Sequence, residues 1–105
     1  MKRLLMVFTL SLLLLLENQV SAEVKKVGVV FANDNVLVLV DYMDNYTIID
    51  GYTGYADEGD LLHGEVEAYG YHNFYNLTKE MELNCYVDEF WYSRDEAIEW
   101  LKNRV

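Results

Sequence analysis

The stretch Leu62-His63-Gly64-Glu65-Val66-Glu67-Ala68-Tyr69 decides the fold. Leu62, Gly64, Val66 and Ala68 alternate with His63, Glu65, Glu67 and Tyr69, the period of two expected when one face of a strand meets a core and the other meets water. Gly64 and Ala68, set between Leu62 and Val66, keep alternate inner positions small, as a strand that curves into a closed sheet requires. Met81 to Val87 repeats the pattern, with Met81, Leu83, Cys85 and Val87 inward and Glu82, Asn84, Tyr86 and the following Asp88 outward. On this register Cys85 is a small buried apolar residue and not a reactive thiol.

On the N-terminal side of that stretch, Val24 to Phe31 is rich in strand-forming residues, and Ala32-Asn33-Asp34-Asn35 is a cluster of turn formers. Val36-Leu37-Val38-Leu39-Val40 is apolar at every position, which fits a strand covered on both faces. Asp41 to Asn45 reads as a turn and Tyr46 to Asp50 as a third strand. Gly51 to Asp60 is the longest irregular stretch. On the C-terminal side, Tyr69 to Asn73 reads as a bend, Phe74 to Thr78 as a short strand and Lys79-Glu80 as a turn. The chain then closes with a helix. Ser93 is its N-cap and Glu96 completes a capping box. Asp95 and Glu96 suit the positive end of the helix dipole, and Lys102 and Arg104 the negative end. Ala97, Ile98 and Leu101 form its apolar stripe, with Trp100 at the margin. Six short strands and one helix predict a mainly β fold: a small, OB-like, partly closed antiparallel barrel with one C-terminal α-helix that plugs or caps the sheet.

Residues 1–22 read as a cleavable signal peptide. Lys2 and Arg3 precede an apolar run from Leu4 to Leu16; Glu17, Asn18 and Gln19 break it, and Val20-Ser21-Ala22 offers a small-residue cleavage site. The run is shorter than the roughly 20 residues that span a bilayer as a helix. Residues 23–105 are then a single small β-barrel-like domain, secreted or periplasmic, with no membrane association after signal cleavage. Cys85 is the lone cysteine, so stability must come from packing, with an oligomer as a further source. This domain carries 6 Lys and Arg against 17 Asp and Glu. Such a balance excludes nucleic acid, whose binding rests on cations that displace phosphate counterions, and leaves basic proteins, cations and neutral glycans.

The run Glu58-Gly59-Asp60-Leu61-Leu62-His63-Gly64-Glu65-Val66 resembles the G-D-x-x-x-G-x-V strand entry of OB-fold barrels. With the export signal and the domain size, the chain loosely resembles the small secreted bacterial OB-fold proteins. That resemblance implies a ligand bound across one sheet face. The residues point the same way. Exposed tyrosine offers a flat apolar ring with a polar tip, and Tyr52, Tyr55, Tyr69 and Tyr71, with Glu65 and Glu67, form the expected ligand-binding set of an exported, non-catalytic binding or interaction module for an unknown protein or glycan partner. No cofactor is expected. Two alternatives stay open: a calcium-dependent module using Asp57, Glu58 and Asp60 around Gly59, and a small hydrolase using Glu65 and Glu67 as paired carboxylates. Asn45-Tyr46-Thr47 and Asn76-Leu77-Thr78 match the glycosylation acceptor pattern.

Overall fold

The computed structural model describes residues 25–104; the signal peptide expected over residues 1–22 lies outside them. Strands β1 (Lys25–Asn33), β2 (Val36–Val40) and β3 (Tyr46–Thr53) form one antiparallel meander, and β4 (Leu61–Gly64), β5 (Gly70–Asn76) and β6 (Met81–Tyr92) form a second. The two join edge to edge, β3 against β6 and β4 against β1, in the closed order β1-β2-β3-β6-β5-β4. The barrel expected to be partly closed is thus closed all round, which leaves no sheet edge among the described residues. The helix α1 (Arg94–Arg104) follows the last strand. An OB barrel has five strands; this one has six.

The β1–β2 hairpin turns on Asp34 and Asn35, both left-handed at φ 53° and 65°. A two-residue loop with both residues in that region matches the right-handed twist of the strands it joins, and Asp and Asn tolerate it. The all-apolar β2 is covered on both faces. Leu37 and Leu39 point into the barrel with Val27, Ile49, Phe74 and Val87, while Val38 points out and packs with Ile48 beneath Ala97 of α1. Burial of each such Leu stabilises by about 1.5–3 kcal/mol relative to exposure. The helix therefore lies on the outer side of β2 and β3 and does not plug an end. Loops close the ends: Ala56, before β4, and Val66, after it, both join the barrel core.

Two details shape the surface. In the β1–β2 ladder Val29 pairs with Leu39 and Phe31 with Val38, so Val30 is an extra residue. This bulge shifts the alternation by one. Phe31, which would have followed Val27 and Val29 into the barrel, joins the cluster under α1, and Ala32 packs towards the barrel in its place. In the deciding stretch, the alternation persists as burial through Val66, but the strand ends at Gly64 and the chain bends over 67–69. The ring of Phe74 explains the glycine: its atoms lie 2.4–2.7 Å from where a Cβ on Gly64 would stand. β5 accordingly begins at Gly70, ahead of the Phe74 expected, and the bend assigned to 69–73 falls earlier. β6 runs on to Tyr92, five residues past the expected Val87. The capping box forms as read: Glu96 N donates to Ser93 Oγ at 3.1 Å, and Ser93 N to Glu96 Oε1 at 2.7 Å.

Candidate binding surface

The end of the barrel where β1 starts and β6 finishes gathers charge and exposed aromatic rings. Asp41, directly after β2, accepts hydrogen bonds on Oδ1 from Met43 N at 2.9 Å and Asn45 N at 3.0 Å. The side chain thereby holds the β2–β3 turn in one shape, with Tyr42 91 % exposed at its tip. Lys25 reaches from the first residue of β1 to Glu67, and its Nζ lies 3.8 Å from Asp41 Oδ2. Glu67 Oε2 also accepts from Trp91 Nε1 at 3.1 Å. The Lys25 hydrogen bond, then the Trp91 one, hold the Glu67 carboxyl below its usual range, and the same contact with Glu67 raises the Lys25 ammonium.

Trp91 is the outlier. Its φ is 63°, in the left-handed region that a bulky aromatic residue seldom adopts and that costs on the order of 1–3 kcal/mol. The twist breaks the alternation of Phe90, Trp91 and Tyr92 and leaves the indole 64 % exposed. Phe90 packs edge-on to Trp91 at 5.5 Å and against Tyr69 at 4.7 Å between ring centroids. The outer face of β5 and β6 continues the strip, with Tyr71 edge-on to Tyr86 at 4.9 Å and Asn84 Nδ2 donating to Asn73 Oδ1 at 2.9 Å. The strip lies in a negative field. Tyr92 beside it is pushed up, first by burial and then by Glu89, Glu96 and Asp88.

The residues expected to form one surface separate into two groups. Glu65, Glu67, Tyr69 and Tyr71 cluster at the end just described. Tyr52 packs against the barrel core and Tyr55, though exposed, belongs to the opposite end. β4 runs between them: it leaves the 54–60 loop at Leu61 and ends at Gly64 beside Lys25, so the loop lies at the far end from residues 65–71. Glu65 and Glu67 sit in the bend and not on a strand face, and Glu65 Oε1 accepts from Glu67 N at 3.2 Å. Trp91, Lys25 and Phe90 join this end although no alternation or motif singles them out. The available signal was the run Phe90-Trp91-Tyr92 before the helix cap, three consecutive aromatics that no alternation can bury together.

In the acidic loop, Asp60 is buried. Burial pushes its pKa up, but hydrogen bonds from Asn76 Nδ2 at 2.9 Å, Lys79 Nζ at 2.8 Å and Asp57 N at 2.9 Å outweigh that and hold it at about 2. Lys79 Nζ is also 2.8 Å from Asp57 Oδ2, so an ammonium stands between the two carboxylates considered for calcium. Glu58 reaches the other way, accepting from Ala32 N at 3.4 Å. Among the described residues no group of three or more His, Cys, Asp or Glu is placed to hold a metal ion. Asn76 is fully buried, with its amide also donating to Tyr55 O at 3.0 Å, so the folded domain withholds that acceptor sequence from glycosylation. Set against protein-family models, curated proteins and solved structures, the chain matches none of them.

Proposed function

We propose that this domain is a non-catalytic interaction module that binds a basic protein through the aromatic and acidic end of its barrel. Trp91 carries the reading. A backbone conformation that costs free energy, adopted by a residue whose ring faces solvent, is retained for what the ring contacts outside the fold. An exposed indole hydrogen-bonded to Glu67, on a strip whose Tyr92 feels the charge of Glu89, Glu96 and Asp88, suits the Lys and Arg side chains of a partner, whose cations lie favourably over aromatic faces. Tryptophan and tyrosine are also the residues that most often dominate interface energetics.

Titration calorimetry of the domain against a library of Lys- and Arg-containing peptides tests this. The expected result is a sequence-selective binder that Trp91→Gly weakens roughly tenfold or more, although the substitution leaves net charge unchanged. Because glycine relieves the left-handed backbone, Trp91→Gly should lower stability by no more than about 1 kcal/mol. Tyr55→Ala, at the other end, should bind as the parent does. Retained affinity in Trp91→Gly, or binding of neutral oligosaccharides at the same rings, would overturn the proposal.

A further inference from the structure

The cleft beside α1 has the opposite character. Two adjoining hollows, about 470 and 300 Å³, share Phe31, Ile98 and Leu101 and form one groove between the helix and the β1–β2 hairpin. Its walls are apolar, with Val36 added near the hairpin tip and Val30 towards the helix start. The bulge at Val30 makes this groove, since it takes the Phe31 ring from the barrel core and lays it beneath the helix. The rim is cationic. Lys102 and Arg104 stand at one end, beside Asp34, and Arg94 at the other. Among residues 25–104 there are six Lys and Arg and sixteen Asp and Glu; the groove lining holds three of the six cations and one of the sixteen acids. Arg104 is engaged by Asp50 at 3.1 Å, whereas Lys102 forms no ion pair among the described residues.

We propose that this groove binds a small single-chain anionic amphiphile of the alkyl carboxylate class. The hydrocarbon chain lies along Phe31, Ile98 and Leu101, and the carboxylate sits at Lys102. The combined volume falls in the range of small-molecule sites, which are mostly apolar with a few polar groups that fix orientation. In a domain this acidic, a cationic rim around an apolar floor selects against cationic and neutral head groups and for anionic ones.

The probe is decanoate, titrated below its micelle concentration into the isotope-labelled domain while methyl resonances are followed. Saturable shifts of Ile98, Leu101 and Val36 are expected, with the methyls of Leu62 and Leu83 inside the barrel unmoved. Decyltrimethylammonium and decyl maltoside, with the same chain, should bind at least about fivefold more weakly, and Lys102→Glu, an exposed change that leaves the core intact, should weaken decanoate by about three- to tenfold. Equal binding of the three head groups, shifts centred on the β5–β6 face, or a Lys102→Glu domain that takes decanoate unchanged would overturn the assignment. So would an acidic amphipathic peptide that occupies the groove while decanoate does not.

Discussion

Gly64→Ala tests the packing of the Phe74 ring against the last residue of β4. A methyl at this position would meet three atoms of the Phe74 ring at 2.4, 2.6 and 2.7 Å, closer than carbon atoms approach in folded proteins. Phe74 is 1 % exposed, so its ring has no solvent to retreat into; either it leaves its rotamer or the two strands part. Overpacking of this kind costs about 1–3 kcal/mol, and the gain from a stiffer unfolded chain returns only about 0.4–1 kcal/mol. A net loss of about 1–2 kcal/mol is a sizeable share of the 5–10 kcal/mol expected for a domain of this size, and lowers Tm by roughly 5–15 °C.

The assay is urea and thermal unfolding followed by far-ultraviolet circular dichroism, with two companions. Gly28→Ala is the control: nothing lies within 4 Å of its Cβ position, so it should be neutral or stabilising by up to about 1 kcal/mol. Phe74→Leu shortens the ring, and a Gly64→Ala/Phe74→Leu double variant should be less destabilised than the sum of the single changes by about 1 kcal/mol. A Gly64→Ala domain within about 0.5 kcal/mol of the parent, or strict additivity with Phe74→Leu, would refute the claim that the ring is what demands glycine.

Asp60 gives a pH dependence whose sign follows from its depressed pKa. A carboxyl at about 2 when folded and 3.8 when free contributes stability that is present above about pH 4 and is lost as pH falls through about 2, so Asp60→Asn should destabilise at neutral pH and converge with the parent near pH 2 in urea titrations. Cys85 is fully buried, and burial pushes its thiol up to about 12; a thiol-specific reagent at pH 8 should leave the native domain unlabelled and label it only as urea unfolds it, and rapid native labelling would contradict the inward register of β6.

What could be read from the sequence was what depends on near neighbours. The alternation of Leu83, Cys85 and Val87, the capping box at Ser93 and Glu96, and the unbroken apolar run of β2 each carry their meaning within a few residues, and each appears in the fold as read. The rest is decided by residues far apart in the chain. That position 64 has room only for glycine depends on Phe74 across the hairpin. That Asp57 and Asp60 hold an ammonium depends on Lys79 beyond β5. Val30 and Phe31 look like the continuation of an ordinary strand, and the bulge between them is visible only once β2 and its helix are in place. The proposed binding end follows the same rule: Glu67 and Tyr69 are legible as outward residues and Tyr71 as part of a bend, but Lys25 and Trp91 reach Glu67 only because closing the barrel brings the start of β1 and the end of β6 together.

The two proposed surfaces are separated by one helix, and its sequence explains how. Arg94, Ile98, Leu101 and Lys102 recur at helical spacing on the flank that faces the β1–β2 hairpin, whereas Glu96, Glu99 and Trp100 line the other flank beside Tyr92. Ala97 between them is the buried contact with Val38 and Ile48. A small side chain there lets the helix lie close to the sheet, so the two flanks are held apart by backbone and not by a thick apolar stripe. Charge placed for solubility alone would be indifferent to flank. Here Arg94 and Lys102 share the side of the exposed apolar floor and Glu96 and Glu99 the side beside Tyr92, while Arg104 bridges the two at the helix end, lining the groove and standing over the Trp100 ring at 5.2 Å. On these two turns each sign is thus paired with the kind of surface on which it can discriminate between ligands.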